Sequence, residues 1–579
     1  MPTWTQSYDP LGHWWLSTFC AALPIIVLFF LLAGLRVRPH LAALAGAATA
    51  VLVATIIFHM PVALAGASFV YGVAFGLLKI VWIVVAAVYL YDVSVEAGKF
   101  EIMQRSIAGI TSDQRLQVLL VAFCFGAFIE GCAGFGSPVA IAGAFMIGLG
   151  FRPFHAAALN LIANTAPVAW GAIGVPVHTL AAVCGLPESD LSAMIGRILP
   201  LTAVIVPLWL VRAMVGWTET LEVLPAILLT GLSFGITQFL WANFLDSNLV
   251  DIAGGLASLV SLVVFLKFWK PRNIWRDGVL VSSSINAAPP HLDSSTAQSG
   301  TRLDHRSAPG FYCPPSSGEV AKAWLPFVVL SIFVLLWGLP SVKGMINGRT
   351  TPAIERGGWN FPILHNHVLR DVPVVSKPTP EPAKYDFNWL SATGSGCFLA
   401  AVASGLILGL RPRRLIRIFG RTVYRMRFAV LAISFMLGLG YTTRYSGLDA
   451  VLGLAFTRTG LFYPFFGTFL GWLGVALTGS DTSSNALFGS LQRITSTQLR
   501  LDPVLMCAAN SAGGVMGKMV DAQSICVATA ATDQVGNEGQ IFRFVVWHSL
   551  ALGAIVGLIV LAYAYLFPHA VPHGLNLGH

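Results

Sequence analysis

The chain of 579 residues is 56% hydrophobic and only 11% charged, with a formal net charge of +9. Because soluble globular proteins carry about 25% charged residues, this composition excludes a soluble enzyme. The basic residues cluster in short loops between apolar runs, which favours membrane topology over nucleic-acid binding as the origin of the positive charge.

Twelve apolar segments approach the roughly 20 residues that a helix needs to cross a bilayer. They fall at about 14–34, 41–59, 65–92, 156–184, 198–216, 223–244, 250–269, 323–340, 389–410, 428–443, 503–530 and 543–566. Two further Gly-rich stretches, 118–150 and 461–498, are interrupted midway by polar residues and predict re-entrant hairpins built from broken helices. The sequence therefore predicts an all-α polytopic membrane protein with about twelve full transmembrane helices and two such hairpins.

Loops rich in Lys and Arg indicate the cytoplasmic side of the membrane. They follow the first, seventh and ninth predicted spans, and the last of them carries seven arginines between 411 and 427. Segments 1–35 and 544–579 contain neither Lys nor Arg, so both termini should be extracytoplasmic. By parity, the polar connections 271–322 and 341–388 should be a cytoplasmic and an extracytoplasmic loop, both irregular.

A block of the sequence occurs twice. Ala-Asn-Thr-Ala at 163–166 recurs as Ala-Asn-Ser-Ala at 509–512, an offset of 346, and each copy follows one of the interrupted hairpins. The first hairpin follows a cytoplasmic loop at 93–117 and the second an extracytoplasmic loop at 441–460, so the two blocks should have inverted topology. Inverted repeats of this kind place a substrate site at mid-membrane between broken helices, which indicates a secondary transporter.

The repeat defines the expected organisation of the chain. It comprises N-terminal spans (1–60), a first repeat (61–216), connecting spans (217–270), a cytoplasmic loop (271–322), a further span (323–340), an extracytoplasmic loop (341–388), the second repeat region (389–566) and an extracytoplasmic tail (567–579).

The two hairpin tips consist of residues that tolerate a helix break inside a bilayer. Gly, Ser and Thr can satisfy the freed backbone groups, and the N-terminus of the helix that follows attracts a carboxylate. The candidate substrate-binding residues of the tips are Gly136, Ser137, Thr482, Ser483 and Ser484. The alternative is that these small residues only allow close helix packing.

Four charged residues lie deep in the repeated blocks: Glu130, Asp481, Lys518 and Asp521. A charge near the centre of a membrane helix costs roughly 2.5–3.5 kcal/mol, so each should have a partner or a task. Lys518 is the candidate counter-charge for a substrate carboxylate. A permanent ion pair with one of the three acids is the alternative.

A buried carboxyl group can carry a coupling proton, because apolar surroundings favour its neutral form. Glu130 is the preferred proton carrier because its neighbours in the sequence are apolar, and Asp481 and Asp521 are the other candidates. The alternative for each of these carboxyl groups is a structural role as the ion-pair partner of Lys518.

Side chains that both donate and accept hydrogen bonds suit a ligand with a hydroxyl and a carboxylate. The candidates of this type are Asn164, Thr165, Asn510, Ser511 and Gln523. Capping of broken helix ends is the alternative role for these side chains.

No cofactor, metal or enzymatic activity is predicted. The cysteines show no C-x-x-C spacing, and no H-E-x-x-H motif occurs. The stretch 513–519 has three residues between its glycines where a phosphate-binding loop has four, and it lies in an apolar segment.

The chain resembles the bacterial L-lactate permease family over nearly its whole length. The resemblance is carried by stretches at 6–10, 15–17, 113–117, 126–136, 164–168, 387–394, 471–474 and 477–487. It implies proton-coupled uptake of L-lactate, and often of D-lactate and glycolate, across the bacterial cytoplasmic (inner) membrane. It also implies two inverted repeats with re-entrant hairpins, and it leaves a homo-oligomer open.

One departure from the family pattern concerns the candidate site. Asp521-Ala522 stands where the resemblance leads us to expect a Ser-Pro pair. An added acid near Lys518 would either neutralise it or provide a second proton site. Two other functions suit the same architecture, a cation/proton antiporter and a passive anion channel.

Overall fold

The computed structural model is mostly helical and describes most of the chain. The described residues are 3–31, 35, 37–134, 137–276, 279–282, 316–350, 358–375, 377–385, 387–532, 534 and 537–572. Of the predicted cytoplasmic loop, residues 283–315 lie outside this description, as do residues 573–579 of the predicted tail.

The first five helices lead into the first hairpin. They are α1 (Trp14–Phe29), α2 (Pro39–Ile56), α3 (Val62–Phe75), α4 (Trp82–Glu96) and α5 (Lys99–Ala108). A π-helical segment, Gly76–Val81, joins α3 to α4, so the helical run extends over 35 residues. Gly98, with φ of 67°, then turns the chain into the amphipathic α5.

The first hairpin has one arm with a π-helical segment and one shorter arm. The first arm is α6 (Gln114–Val118), the π-helical segment Leu119–Phe125 and α7 (Gly126–Cys132), and the second arm is α8 (Ser137–Gly148). The arms pack against each other. The chain continues through α9 (Pro153–Ala163), α10 (Gly171–Cys184) and α11 (Glu188–Met214).

The connecting region contains α12 (Trp217–Glu222), α13 (Leu224–Phe244), α14 (Val250–Phe268), α15 (Ser317–Gly338) and α16 (Pro340–Thr350). Strand β1 (Trp4–Thr5) lies before α1, near the start of the chain. Between α14 and α15, strands β2 (Asn273–Arg276) and β3 (Val279–Ser282) pair antiparallel. The predicted cytoplasmic loop therefore begins as a β-hairpin.

The second half contains α17 (Thr393–Ile407), α18 (Pro412–Ser446), α19 (Leu448–Phe456), α20 (Tyr463–Thr478), α21 (Asp481–Gln498), α22 (Pro503–Gly517), α23 (Ala522–Ala531) and α24 (Glu538–Tyr565). Helices α20 and α21 are the packed arms of the second hairpin, and Gly479, with φ of 73°, forms its tip.

Within the described residues, ten helical stretches are long and apolar enough to cross a membrane. An eleventh is added if α9 and the stretch Val168–Cys184, bent by 67° relative to each other, are taken as one span. The predicted number of twelve full spans is not confirmed, because α1 and α17 are shorter than a full span, at 16 and 15 residues, and the predicted span 503–530 is divided into α22 and α23. Two of the ten stretches, Gln114–Cys132 and Leu448–Thr478, contain the first arms of the two predicted hairpins. The predicted span 156–184 is broken rather than continuous.

The order of elements in the first half recurs in the second. Left-handed glycines, Gly98 and Gly447, precede α5 and α19, and left-handed residues at Gly150 and Arg500 precede α9 and α22. In both halves a hairpin, a helix, a break and a second helix follow one another. The repeat read from the sequence thus corresponds to a repeat of local structure.

The two halves pack reciprocally. Hairpin arm α21 contacts the short helix α10 of the other half, and hairpin arm α8 contacts the short helix α23. In the same way, α22 contacts α11 and α24 contacts α9. Such exchange of equivalent contacts is the pattern that a two-fold relation between halves produces.

A buried arginine anchors the start of the first hairpin. Arg115 pairs with Asp113 at 2.7 Å and with Glu222 at 3.0 Å, and its side chain is fully buried. It also donates to the carbonyl of Asn273. The hairpin is therefore fixed to α12 and β2, which explains the polar stretch at 113–117.

The predicted extracytoplasmic loop contains a small β structure that we call the β cap, residues 358–385. Strands β4 (Trp359–Asn360), β5 (Val368–Arg370), β6 (Thr379–Pro380) and β7 (Lys384–Tyr385) form it, β5 pairing with β1 and β6, and β4 with β7. The expectation of an irregular loop was wrong here, because the buried Glu381 pairs with Arg370 within the segment and with Arg444 of α18.

Candidate functional site

The ammonium group of Lys518 is fixed at the tip of the second hairpin. Lys518 follows α22, is 4% exposed, and its Nζ donates to the carbonyl of Gly479 at 2.6 Å. The same Nζ lies 3.4 Å from Asp521 Oδ2, while Asp521 Oδ1 accepts the backbone N–H of Ser524 at 2.7 Å and so caps α23. The ion pair considered in the sequence analysis is therefore present, with Asp521 as the partner.

Lys518 interacts electrostatically with carboxyl groups from both hairpins. Its charge acts on Glu130 of the first hairpin and on Asp481 of the second. Both carboxyl groups are buried, at 4% and 3% exposure. The structure therefore brings together three of the four predicted charges around the fourth.

Glu130 lies at the point where the first hairpin meets the break after α9. A Cβ on Gly171 would lie 2.7 Å from Glu130 Oε1, so the backbone at Gly171 lies directly against the carboxyl group. The carboxyl faces the side chain of Asn164 without a well-aligned hydrogen bond, and Oε2 has no partner among the described residues. A buried carboxyl oxygen without a hydrogen-bond partner destabilises the protein unless a ligand or a proton satisfies it.

The break between α9 and α10 is strained. Ala172, Ile173 and Gly174 adopt φ of 47°, 63° and 73°, and two of them carry a Cβ. Left-handed conformation costs roughly 1–2 kcal/mol per non-glycine residue. Strain of this kind is typical of functional sites, where the surrounding packing imposes it.

Asp481 belongs to a polar network within the second half. Its Oδ2 accepts Ser511 Oγ at 2.5 Å and Asn485 Nδ2 at 3.2 Å. Asn510 Nδ2 donates to Asn485 Oδ1 at 2.9 Å, and Gln492 Nε2 donates to Asn510 Oδ1 at 3.2 Å. Ser511 and Asn510 therefore hold α22 against α21, which is a structural role.

The network also reaches the first half. Asn485 Nδ2 lies 3.2 Å from the carbonyl of Pro176 in α10. Because Asn485 lies on the second hairpin and Pro176 follows the strained turn, this contact connects the hairpin to the broken helix opposite. Asn485 lies within the stretch 477–487 that carries the family resemblance, but no role was predicted for it.

The remaining predicted residues differ in their surroundings. Thr482 and Ser483 are buried in the first turn of α21, whereas Ser484 Oγ donates to the carbonyl of Gly471 at 3.0 Å and fastens α21 to α20. Thr165, which follows α9, donates its Oγ1 hydroxyl to the carbonyl of Ile162 in the last turn of that helix. Gln523 is exposed beside Gly479.

Part of the tip of the first hairpin lies outside the residues that the structure describes. Gly136 lies outside the described residues, and Ser137 is the first residue of α8, with its side chain outside the description. Neither can be compared with its predicted role.

Two polar residues near Glu130 were missed. Asp251 in the first turn of α14 and Gln238 in α13 are fully buried, and Gln238 Nε2 lies 3.4 Å from Asp251 Oδ1. An acid at the start of an apolar segment resembles the end of a span, so the sequence carried no signal that this carboxyl lies inside. Among the residues that the structure describes, no group of three His, Cys, Asp or Glu suits a metal ion.

The fold and the site define a multi-pass membrane protein in which two hairpins and two broken helices surround buried charges. The family model for L-lactate permease matches residues 17–567. The chain therefore belongs to the L-lactate permease family, as the sequence predicted, and this family consists of transporters and not of enzymes.

Two relatives match along nearly their entire length. The glycolate permease GlcA of Escherichia coli K12 is 44% identical, with 98% of this chain and 99% of the relative covered. The L-lactate permease of the same strain is 43% identical, with 99% and 100% covered. Among solved structures, MtrF of Neisseria gonorrhoeae matches 86% of this chain over 83% of the MtrF chain, at 10% identity and a TM-score of 0.43.

Proposed function

We propose that this protein is a secondary active transporter that takes up L-lactate and related small 2-hydroxy monocarboxylates, D-lactate and glycolate, together with protons across the bacterial cytoplasmic membrane. The observation that carries the proposal is the buried ammonium of Lys518, held at one hairpin tip and facing Glu130 from the other hairpin. The names of the relatives, a glycolate permease and L-lactate permeases, support the substrate class.

The chemistry of the substrate suits the groups around Lys518. A 2-hydroxy monocarboxylate presents one negative charge and one hydroxyl, which require a cation and a few groups able to donate and accept. Lys518 supplies the charge, and the unpartnered amide of Asn164 supplies a donor and an acceptor. Thr482 and Ser483 are buried at the N-terminus of α21, where a helix dipole favours a carboxylate.

The reciprocal packing of the halves supports alternating access around this site. Each hairpin contacts the short broken helix of the other half, so movement of one half against the other changes both contacts together. Two repeats with inverted topology, as the distribution of basic loops predicts, would place these contacts at mid-membrane.

Proton coupling is assigned to Glu130. Protonation of Glu130 removes one buried negative charge, and the monocarboxylate that binds near Lys518 adds one, so the net buried charge stays the same. One proton with one monoanion is electroneutral, so a pH difference supplies about 1.4 kcal/mol per unit and the membrane potential nothing. A second proton would add roughly 2.3 kcal/mol per 100 mV.

Proteoliposomes test the proposal directly. External lactate or glycolate should alkalinise the outside medium of vesicles containing wild-type protein. Glu130→Gln should abolish the alkalinisation, because the neutral amide cannot carry a proton. Glu101→Gln is the matched control, since Glu101 is an exposed partner of Arg105 on α5, and it should behave as wild type.

Other outcomes would favour the rival functions. Lactate flux without accumulation against a gradient would indicate an anion channel. A sodium-driven proton flux that needs no lactate would indicate an antiporter. Unchanged alkalinisation in Glu130→Gln would remove Glu130 as the proton carrier.

A further inference from the structure

Asp251 is a buried carboxyl that the proposed mechanism does not use. It lies in the first turn of α14, fully buried, and its Oδ1 is 3.4 Å from Gln238 Nε2. Its Oδ2 has no hydrogen-bond partner among the described residues. An isolated carboxylate in this position would be very costly, so burial favours the protonated, neutral form.

The backbones that carry Asp251 and Glu130 are in direct contact. A Cβ on Gly131, the residue after Glu130, would lie 2.7 Å from the N of Ile252 and 3.1 Å from the carbonyl carbon of Asp251. Only a glycine at position 131 allows α7 and α14 to approach so closely. The charge of Glu130 acts on the carboxyl group of Asp251.

The surroundings of the two carboxyl groups differ. Glu130 is faced by the charges of Lys518 and Asp521 and by the amide of Asn164. Among the described residues, the groups that act on Asp251 are the amide of Gln238, the carboxyl of Glu130 and the backbone at Trp170. One member of the pair therefore faces a cation and the other faces none.

Several buried polar atoms around the pair lack partners. In the described part of the chain these atoms are Glu130 Oε2, Asp251 Oδ2, Asn164 Nδ2, Asn164 Oδ1 and Gln238 Oε1. Gln238 also donates to the carbonyl of Ala166 at 3.3 Å, which places these atoms at the break between α9 and α10. A proton or a small polar ligand at the break would complete the hydrogen bonding of these atoms.

We propose that Glu130 and Asp251 form a carboxyl pair that holds one proton between them, with Asp251 as the reservoir of the coupling proton. Two neighbouring carboxyl groups do not both ionise readily, so the pair retains one proton. When the substrate carboxylate neutralises Lys518, the O–H bond of Asp251 breaks and an O–H bond forms on Glu130. A proton from the aqueous side then forms a new O–H bond on Asp251, so that one proton is taken up with one monoanion and neither carboxyl group stays ionised. This inference rests on the proposed function.

Two transport modes of Asp251→Asn test the inference. Accumulation driven by a pH gradient needs the proton, whereas counterflow of labelled against unlabelled lactate needs only binding and movement. We expect accumulation to fall at least tenfold and counterflow to stay within twofold of wild type. The matched control is Asp449→Asn, a buried carboxyl in the first turn of α19 with one unpartnered oxygen among the described residues, which should retain both modes.

Each result of this experiment bears on a separate claim. Wild-type protein that accumulates neither lactate nor glycolate on a pH gradient refutes the proposed function itself. Wild-type accumulation that persists in Asp251→Asn refutes only the carboxyl pair. Loss of both modes in a variant with wild-type thermal stability makes Asp251 a binding residue and also overturns the inference.

A measurement on the wild-type protein covers the case in which the variant does not fold. Dicyclohexylcarbodiimide modifies protonated carboxyl groups in apolar surroundings, and mass spectrometry should find it on Asp251 or Glu130 but not on both in one molecule. Modification of neither, or of both together, contradicts a shared proton. Accumulation driven by sodium without a pH gradient would place sodium at the pair and would also overturn the inference.

Discussion

Replacing Glu381 by glutamine should loosen the β cap. Glu381 is 6% exposed and pairs with Arg444 at 2.6 Å and with Arg370 at 2.7 Å. Removing one partner of a buried ion pair costs about 3–5 kcal/mol because the remaining charges stay buried without compensation. Glutamine keeps the size and one acceptor of glutamate, so we expect about 3 kcal/mol for Glu381→Gln.

The effect should extend from the cap to the transport site. Arg444 also donates to the carbonyls of Ala182 and Val183 at 3.2 and 2.9 Å, in the last turn of α10. This short helix begins at the strained turn beside Glu130. Glu381→Gln should therefore lower transport activity as well as stability.

The stabilisation by Glu381 should depend on pH. Burial by itself would raise the pKa of Glu381, but the guanidinium groups of Arg444 and Arg370 outweigh it and hold that pKa below its ordinary value of 4.5. A carboxyl whose pKa is lowered on folding stabilises the protein above the ordinary pKa, and this stabilisation is lost as the pH falls through the lowered value. The difference between wild type and Glu381→Gln should be complete at pH 7 and shrink in acid below about pH 4.

Thermal unfolding in detergent at pH 7 and at acidic pH measures both effects. Glu101→Gln is the control, since Glu101 and Arg105 form an exposed pair whose loss should change stability by about 0.5 kcal/mol or less. A melting temperature of Glu381→Gln equal to that of the control at pH 7 would refute the reasoning. So would a difference from wild type that does not diminish in acid.

Two further predictions concern the second half. In Gly514→Ala the new Cβ would lie 2.2 Å from Asp481 Oδ1, so we expect the free energy of unfolding, measured by thermal unfolding, to fall by about 1–3 kcal/mol. The control is Gly539→Ala, which has no atom within 4 Å of the new Cβ and should not change stability. Equal stability of the two variants would contradict this prediction. Asp521→Asn keeps a side chain able to cap α23 but removes the counter-charge of Lys518, so the KM for lactate in vesicle uptake should fall. An unchanged KM would show that Asp521 does not compete with the substrate.

Local signals account for the parts of the fold that the sequence could predict. Apolar runs, polar interruptions and arginine-rich loops are properties of short stretches, and they located the helices and both hairpins. The recurrence of Ala-Asn-Thr-Ala as Ala-Asn-Ser-Ala revealed the repeat for the same reason. The breaks in the apolar segments 156–184 and 503–530 were missed. In the first of them, Ala172 and Ile173 are apolar residues with no intrinsic preference for the left-handed conformation, which depends on their neighbours.

The candidate site was predicted as a set of residues but not as an arrangement. The cost of burying a charge made Glu130, Asp481, Lys518 and Asp521 conspicuous in the sequence alone. Nothing local could show that Lys518 donates to Gly479, 39 residues earlier, or that Asn510 and Ser511 serve the packing of α21 and α22.

The sequence by itself determined the class of protein, its repeat and its buried charges, because hydropathy and the cost of burying ions depend on composition along short segments. Only the tertiary structure decided which groups face one another. Asp251 illustrates the reason: the charge of Glu130 acts on its carboxyl group because a glycine lets two helices from distant parts of the chain touch, and a contact of that kind leaves no trace in either segment alone.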